Sequence, residues 1–114
     1  MEFTAAEKDY LSSQRLARIA TASADGEPDV APVGFRFDGD SFWVGGRDLT
    51  RTLKYHNIRA NPIASIVVDD LASVDPWRPR LVKVRGHAEI VERDGREVIH
   101  ITPERKWSFG LERT

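Results

Sequence analysis

From Leu81 to Val91 apolar and polar residues alternate with a period of two: Val82, Val84, Gly86, Ala88 and Ile90 share one face, and Lys83, Arg85, His87 and Glu89 share the other. That pattern predicts a strand with one side in a core and one in water, bent or bulged at Gly86. Ile63 to Asp69 is apolar on almost both faces and predicts a central strand. In Val30 to Phe37, Ala31, Val33, Phe35 and Phe37 form one face, while Pro32, Gly34 and Arg36 form the other. Proline donates nothing to a ladder and glycine permits close approach, so this second face lies open to a ligand or another backbone.

Leu16 to Ala22 and Ser41 to Val44 also read as strands, and Asp25-Gly26, Asp38-Gly39 and Asp94-Gly95 are hairpin turns. Beyond the last of these come Glu97 to Thr102 and a short strand from Lys106 to Phe109. Thr4-Ala5-Ala6-Glu7 is a capping box that opens a helix to about Ser13, turning Ala6, Tyr10 and Leu11 to the sheet. A second helix is expected from an N-cap at Thr50 to about Arg59, stopped by Asn61-Pro62. Asp70 to Pro79 reads as a loop presenting Trp77 beside Arg78 and Arg80, either covering a ligand or plugging a barrel end. Six or seven strands with two short helices predict a mainly β, closed or nearly closed antiparallel barrel.

Composition narrows the function. The 114 residues make one domain, short for an enzyme that must wall off a pocket alone, so oligomerisation is expected. The net charge of -1 gives no global basic field for nucleic acid. Without cysteine there is no thiol nucleophile and no zinc site with thiolate ligands. No apolar run reaches the ~20 residues of a membrane span, and MEFTAAEKDYL lacks a signal-peptide pattern, so a cytoplasmic protein is expected.

Reactive equipment is sparse. His56, His87 and His100 lack metal-ligand spacing, no serine elbow or glycine-rich phosphate loop occurs, and Asp69 and Asp70 point to opposite strand faces. If the protein is an enzyme, a cofactor carries the hard step. The basic stretch around Arg47, Arg51 and Lys54 at the start of the second helix is either a phosphate seat or a solvated helix face.

Three segments in order, LARIATASADGEPDVAPVGFRFDGDSFWV, KYHNIRANPIASIVVDD and WRPRLVKVRGHAE, resemble the pyridoxamine 5′-phosphate oxidase-like superfamily of flavin- and deazaflavin-binding split β-barrels. DPWRPR and the ending ITPERKWSFG resemble the short branch using coenzyme F-420, which includes tetracycline-pathway reductases. The resemblance implies an FMN-binding split-barrel fold and a homodimer with its cofactor in a groove between subunits. It implies hydride transfer from reduced F-420 to a small organic acceptor, with FMN as the alternative cofactor. A non-catalytic flavin-, deazaflavin- or haem-binding module is the other alternative. By matching positions, Lys54 holds the phosphate, helped by Arg51 and Asn57, and Pro32, Val33 and Gly34 lie beside the ring. Trp77, Arg78 and Arg80 close over the site from either subunit. Gly45-Gly46-Arg47-Asp48 replaces the Ser/Thr-containing turn of many relatives, leaving Thr50 or backbone amides to supply that contact. F-420 also carries a lactyl-oligoglutamate tail that FMN lacks.

Overall fold

The computed structural model describes residues 1–111. Seven strands form one antiparallel sheet: β1 (Leu16–Ala22), β2 (Pro28–Gly34), β3 (Arg36–Phe37), β4 (Phe42–Val44), β5 (Ile63–Ser73), β6 (Arg78–Arg93) and β7 (Arg96–Phe109). Their order is β2-β1-β5-β6-β7-β4-β3, so β2 and β3 are the two edges although a single residue, Phe35, separates them in sequence. The sheet therefore curls until its edges meet, and chain continuity closes the barrel. This is the expected split barrel, with one correction. Val30 to Phe37 is not one strand of a meander, because Gly34 lets the chain leave the β1 ladder and cross to β4.

The inward faces follow the predicted alternation. Ile19, Val33, Ile66, Val68, Val82, Val84, Ile99 and Ile101 are buried, and each such side chain contributes about 1.5–3 kcal/mol by leaving water. Phe3, Phe37 and Phe42 close one side through edge and tilted ring contacts. Helix α1 (Ala5–Ser13) carries the predicted capping box, and Tyr10 and Leu11 enter the core, while Ala6 is only half-buried. Glu7 does more than cap. It is buried and accepts from Lys106 Nζ at 2.6 Å and Ser108 Oγ at 2.8 Å, pinning α1 to the end of β7.

Three strand boundaries differ from expectation. β5 and β6 run on through most of the supposed loop, leaving only a turn at residues 74–77, because Asp70 and Arg80 form a two-bond ion pair across the ladder. β7 is a single long strand that passes through Pro103. Arg85 pairs with Arg105 but Gly86 pairs with Pro103, so Glu104 is bulged out, and the predicted irregularity at Gly86 is present.

Helix α2 (Leu53–Ala60) is capped by Thr52, whose Oγ1 accepts from Tyr55 N–H; Thr50, the expected cap, lies exposed in a preceding 3-10 turn, Leu49–Arg51. Burying Leu49 draws the chain into that turn and delays the helix by two residues. Asn61 ends α2, as expected. No helix among the described residues is long and apolar enough to cross a membrane.

Candidate functional site

The crossing from β2 to β3 and the open end of β4 form one wall of a groove. Gly34, Phe35 and Arg36 face Trp43, Gly45 and Gly46, and the β6–β7 turn supplies Arg93, Asp94, Arg96 and Val98 around a cavity of about 670 Å³. A second cavity of about 840 Å³ shares Gly46 and Arg96 with it and continues past Arg47, Leu49 and Thr50. The turn that supplies this rim is the Asp94-Gly95 hairpin, with both residues at positive φ, as a two-residue turn requires. The bulge at Gly86 bends the β6–β7 ribbon that carries it.

The groove is apolar below and basic above. Phe35, Trp43 and Val98 give it carbon surface, while Arg36, Arg47, Arg93 and Arg96 stand around it. Among the described residues none of these four arginines pairs with a carboxylate. Two acids stand at the rim, Asp94 and Glu97, and Glu97 accepts from Tyr55 Oη at 2.9 Å and so ties α2 to β7. Unpaired guanidinium groups beside apolar surface suit an anionic ligand with a planar body.

Trp43 is held rigidly. Arg93 lies over its ring at 4.0 Å, His100 stacks at 4.0 Å, and its Nε1 donates to Asp38 Oδ2 at 2.8 Å. Burial alone raises the Asp38 carboxyl. Hydrogen bonds from Trp43, from the N–H groups of Asp40 and Ser41 and from the Ser41 hydroxyl outweigh it and hold Asp38 well below the usual carboxylate range. Ser41 and His100 approach at 2.9 Å, but Ser41 is buried and its hydroxyl also bonds Asp38, so this is a brace for Trp43 rather than an exposed nucleophile pair.

The residues singled out from sequence divide into three places. Gly34 and Thr50 line the groove; Arg51 and Lys54 follow Thr50 on the same corner, exposed and half-buried respectively. Pro32 is exposed on the outer face of β2, whereas Val33 points into the core and offers only its backbone. Asn57 is also buried, donating Nδ2 to Thr21 Oγ1 at 3.0 Å, which fastens α2 to β1. Trp77, Arg78 and Arg80 lie elsewhere. Trp77 is 67% exposed at the β5–β6 turn and plugs nothing. Arg80 is bonded to Asp70 and lies over the Tyr10 ring. None of the three lines either cavity, and Arg78 and Arg93 stand at opposite ends of β6, so within one chain this hairpin is not part of the groove.

Sequence reasoning missed Arg36, Trp43, Arg93 and Arg96. A usable signal existed for Arg36, which shares the open face with Gly34, and for the two arginines flanking Asp94-Gly95.

Such a curled barrel with a basic, flat-floored groove at the strand crossing defines a cofactor-binding split barrel. The chain belongs to the pyridoxamine 5′-phosphate oxidase family, whose model matches residues 3–107. It is 36% identical over 122 aligned residues to the 5a,11a-dehydrotetracycline/5a,11a-dehydrooxytetracycline reductase of Streptomyces rimosus, covering 98% of this chain and 86% of the relative. An F-420 reductase structure superposes with a TM-score of 0.71 at 25% identity, covering 88% of this chain and 94% of the other. The haem storage protein HutZ of Vibrio cholerae shares the fold, with a TM-score of 0.74 at 17% identity over 97% and 96% of the two chains. Family and reductase relative together support an oxidoreductase of this fold.

Proposed function

We propose that the groove holds coenzyme F-420 and that the protein is an F-420-dependent reductase, moving hydride to a small organic acceptor with an activated C=C bond. The observation that carries this reading is the groove's make-up, an apolar floor beneath arginines that no carboxylate of the described chain neutralises. The residues fit such a group. A Cβ at Gly34 would meet nothing nearer than 3.9 Å and one at Gly46 nothing within 4 Å, so a flat ring has access to backbone on this wall. When bound, the cofactor supplies the hydride.

The chain's own part is binding and orientation. Lys54 and Arg51 stand at the N-terminal turn of α2, where free N–H groups and the helix dipole favour a phosphate. The apolar floor excludes water beside the ring, which favours hydride transfer over short distance. The residues lining the two cavities show no dedicated proton donor among the described residues, and in this reading solvent protonates the acceptor. His100 is no free ligand for a haem iron, being stacked on Trp43 and bonded to Ser41, and this favours the deazaflavin reading over haem storage.

The working unit in this reading is a homodimer. Leu16, Val30 and Ile63 are 49%, 66% and 44% exposed on the outer face of β1, β2 and β5, an apolar surface that a second copy would cover. The partner would then bring its Trp77 hairpin toward the groove that this chain's own hairpin does not reach. Mixing reduced F-420, protein and an enone acceptor, first a dehydrotetracycline of the kind named for the relative, tests the reading. Protein-dependent recovery of oxidised F-420 fluorescence supports it; reduced F-420 that persists with every enone, while reduced FMN is consumed, defeats it.

A further inference from the structure

A smaller cavity of about 350 Å³ adjoins the groove, and the end of α1 closes it with Ser12 and Gln14. Phe35, Arg36, Trp43 and Arg93 line both spaces, whereas Phe37 and Asp38 belong to the smaller one. Most of its polar side chains are already engaged. Asp38 Oδ1 accepts from the N–H groups of Asp40 at 2.9 Å and Ser41 at 2.7 Å, and its Oδ2 accepts from Ser41 Oγ at 2.9 Å and Trp43 Nε1 at 2.8 Å. Ser12 Oγ donates to Lys8 O at 2.9 Å, and Gln14 Nε2 donates to Ser13 Oγ at 3.1 Å. The exceptions are two guanidinium groups. Arg36 faces Trp43 across the β3–β4 ladder and Arg93 lies over the same ring at 4.0 Å. Both are exposed, and among the described residues neither pairs with a carboxylate. The side chains of this cavity therefore offer a ligand donors and aromatic surface, with the one carboxylate saturated.

We propose that this cavity binds a flat organic anion, a conjugated ring system laid against Phe35, Phe37 and Trp43 whose carboxylate or phenolate oxygen is held by Arg36 and Arg93. The volume stands at the small end of ligand pockets and suits a compact fused-ring molecule rather than a nucleotide or a polymer. A bare inorganic anion would leave the aromatic walls uncovered, and an uncharged ring would leave both guanidinium forks unmet. Arg93 already lies on the indole face as a planar cation, so a planar ligand that replaces it there keeps the stacking while the guanidinium turns to the ligand's charge. The site itself stands on these contacts; naming its occupant as the hydride acceptor, beside a ring in the adjoining groove, rests on the proposed function.

Titrating the protein with naphthoate, and with naphthamide as its uncharged counterpart, while following the Trp43 indole N–H signal by NMR tests the site. A saturable shift with naphthoate is expected, at least tenfold weaker for the amide and at least tenfold weaker in a folded Arg36→Gln/Arg93→Gln variant. Ser12→Phe should weaken naphthoate to the same extent, because it fills this cavity from the exposed end of α1 and leaves the lining of the groove intact. No shift at Trp43 overturns the site; equal binding of the amide or an equal response in the arginine variant overturns the ligand class; an undiminished response in Ser12→Phe overturns the placement. Steady-state reduction of an enone by reduced F-420 tests the occupant. Naphthoate competing with the enone and not with F-420 is expected, and competition with F-420 alone, or no competition, overturns the acceptor assignment while leaving the cofactor reading intact. Failure of F-420 to bind, or of any enone to be reduced, defeats the proposed function instead, with the naphthoate titration still deciding the site.

Discussion

Adding one methyl group at Gly86 probes the ladder that carries the groove's basic rim. An ideal Cβ there would lie 2.0 Å from Thr102 O, 2.8 Å from Thr102 C and 2.9 Å from Pro103 Cα. All three are backbone atoms of the facing strand, so relief requires β6 and β7 to separate at the bulge rather than a side chain to rotate. Ordinary overpacking by a methylene costs about 1–3 kcal/mol, and a backbone clash at a buried position belongs at or above the upper end. Taking ~3 kcal/mol, and about 4 °C per kcal/mol for a chain of this size, Gly86→Ala lowers Tm by roughly 12 °C. Gly26→Ala is the control: it sits at a turn, with φ 87° and nothing within 4 Å, so only the backbone penalty of ~1–2 kcal/mol applies. Thermal unfolding followed by circular dichroism measures both variants. A Gly86→Ala protein melting within a few degrees of the parent, or no less stable than Gly26→Ala, would refute the argument that the missing Cβ is what permits this close approach.

Further outcomes test the site and the assembly. Lys54→Ala should weaken F-420 binding by about 1–3 kcal/mol without changing Tm, as expected for a lost charged hydrogen bond; an unchanged Kd in a fluorescence titration rejects the phosphate assignment. Glu7→Gln should destabilise the fold by about 1–3 kcal/mol at pH 7. Burial alone raises the Glu7 carboxyl, but hydrogen bonds from Lys106, the Thr4 N–H and Ser108 outweigh it and lower its pKa in the folded state. Its contribution is therefore present above the unfolded value of about 4.3 and lost as pH falls through the folded value, so urea melts of parent and variant should converge in acid. Convergence at alkaline pH instead would contradict that sign. Val30→Lys, at a site 66% exposed in one chain, should leave Tm of the monomer fold near that of the parent but halve the mass seen by light scattering; an intact dimer removes this face from the interface.

The barrel was legible where burial imposes a simple period. β6 alternates as read and β1 and β5 are strands as read, and the capping box of α1 and the aspartate-glycine turns are local features whose chemistry lies within four residues. What escaped the reading depends on residues far apart in sequence. The extension of β5 and β6 rests on Asp70 meeting Arg80, and the passage of β7 through Pro103 rests on the close backbone approach that Gly86, lacking a Cβ, permits. Thr50 and Thr52 offer the same hydroxyl two positions apart, and only the burial of Leu49 decides which one caps α2. For the site, Gly34 and Thr50 were found because glycine and a threonine beside a helix start carry local meaning. Arg93 and Arg96 were not, since an arginine beside a hairpin turn looks like any solvated charge until the curl of the sheet brings that turn against β4.

On the proposed reading this groove takes a deazaflavin in preference to a flavin. Equilibrium titrations of the purified protein with F-420 and with FMN, side by side at one ionic strength and followed by ring fluorescence, test it most directly. Tighter binding of F-420, with the difference shrinking as salt is raised, is the predicted result. Tighter binding of FMN, or no binding of F-420, would contradict the account.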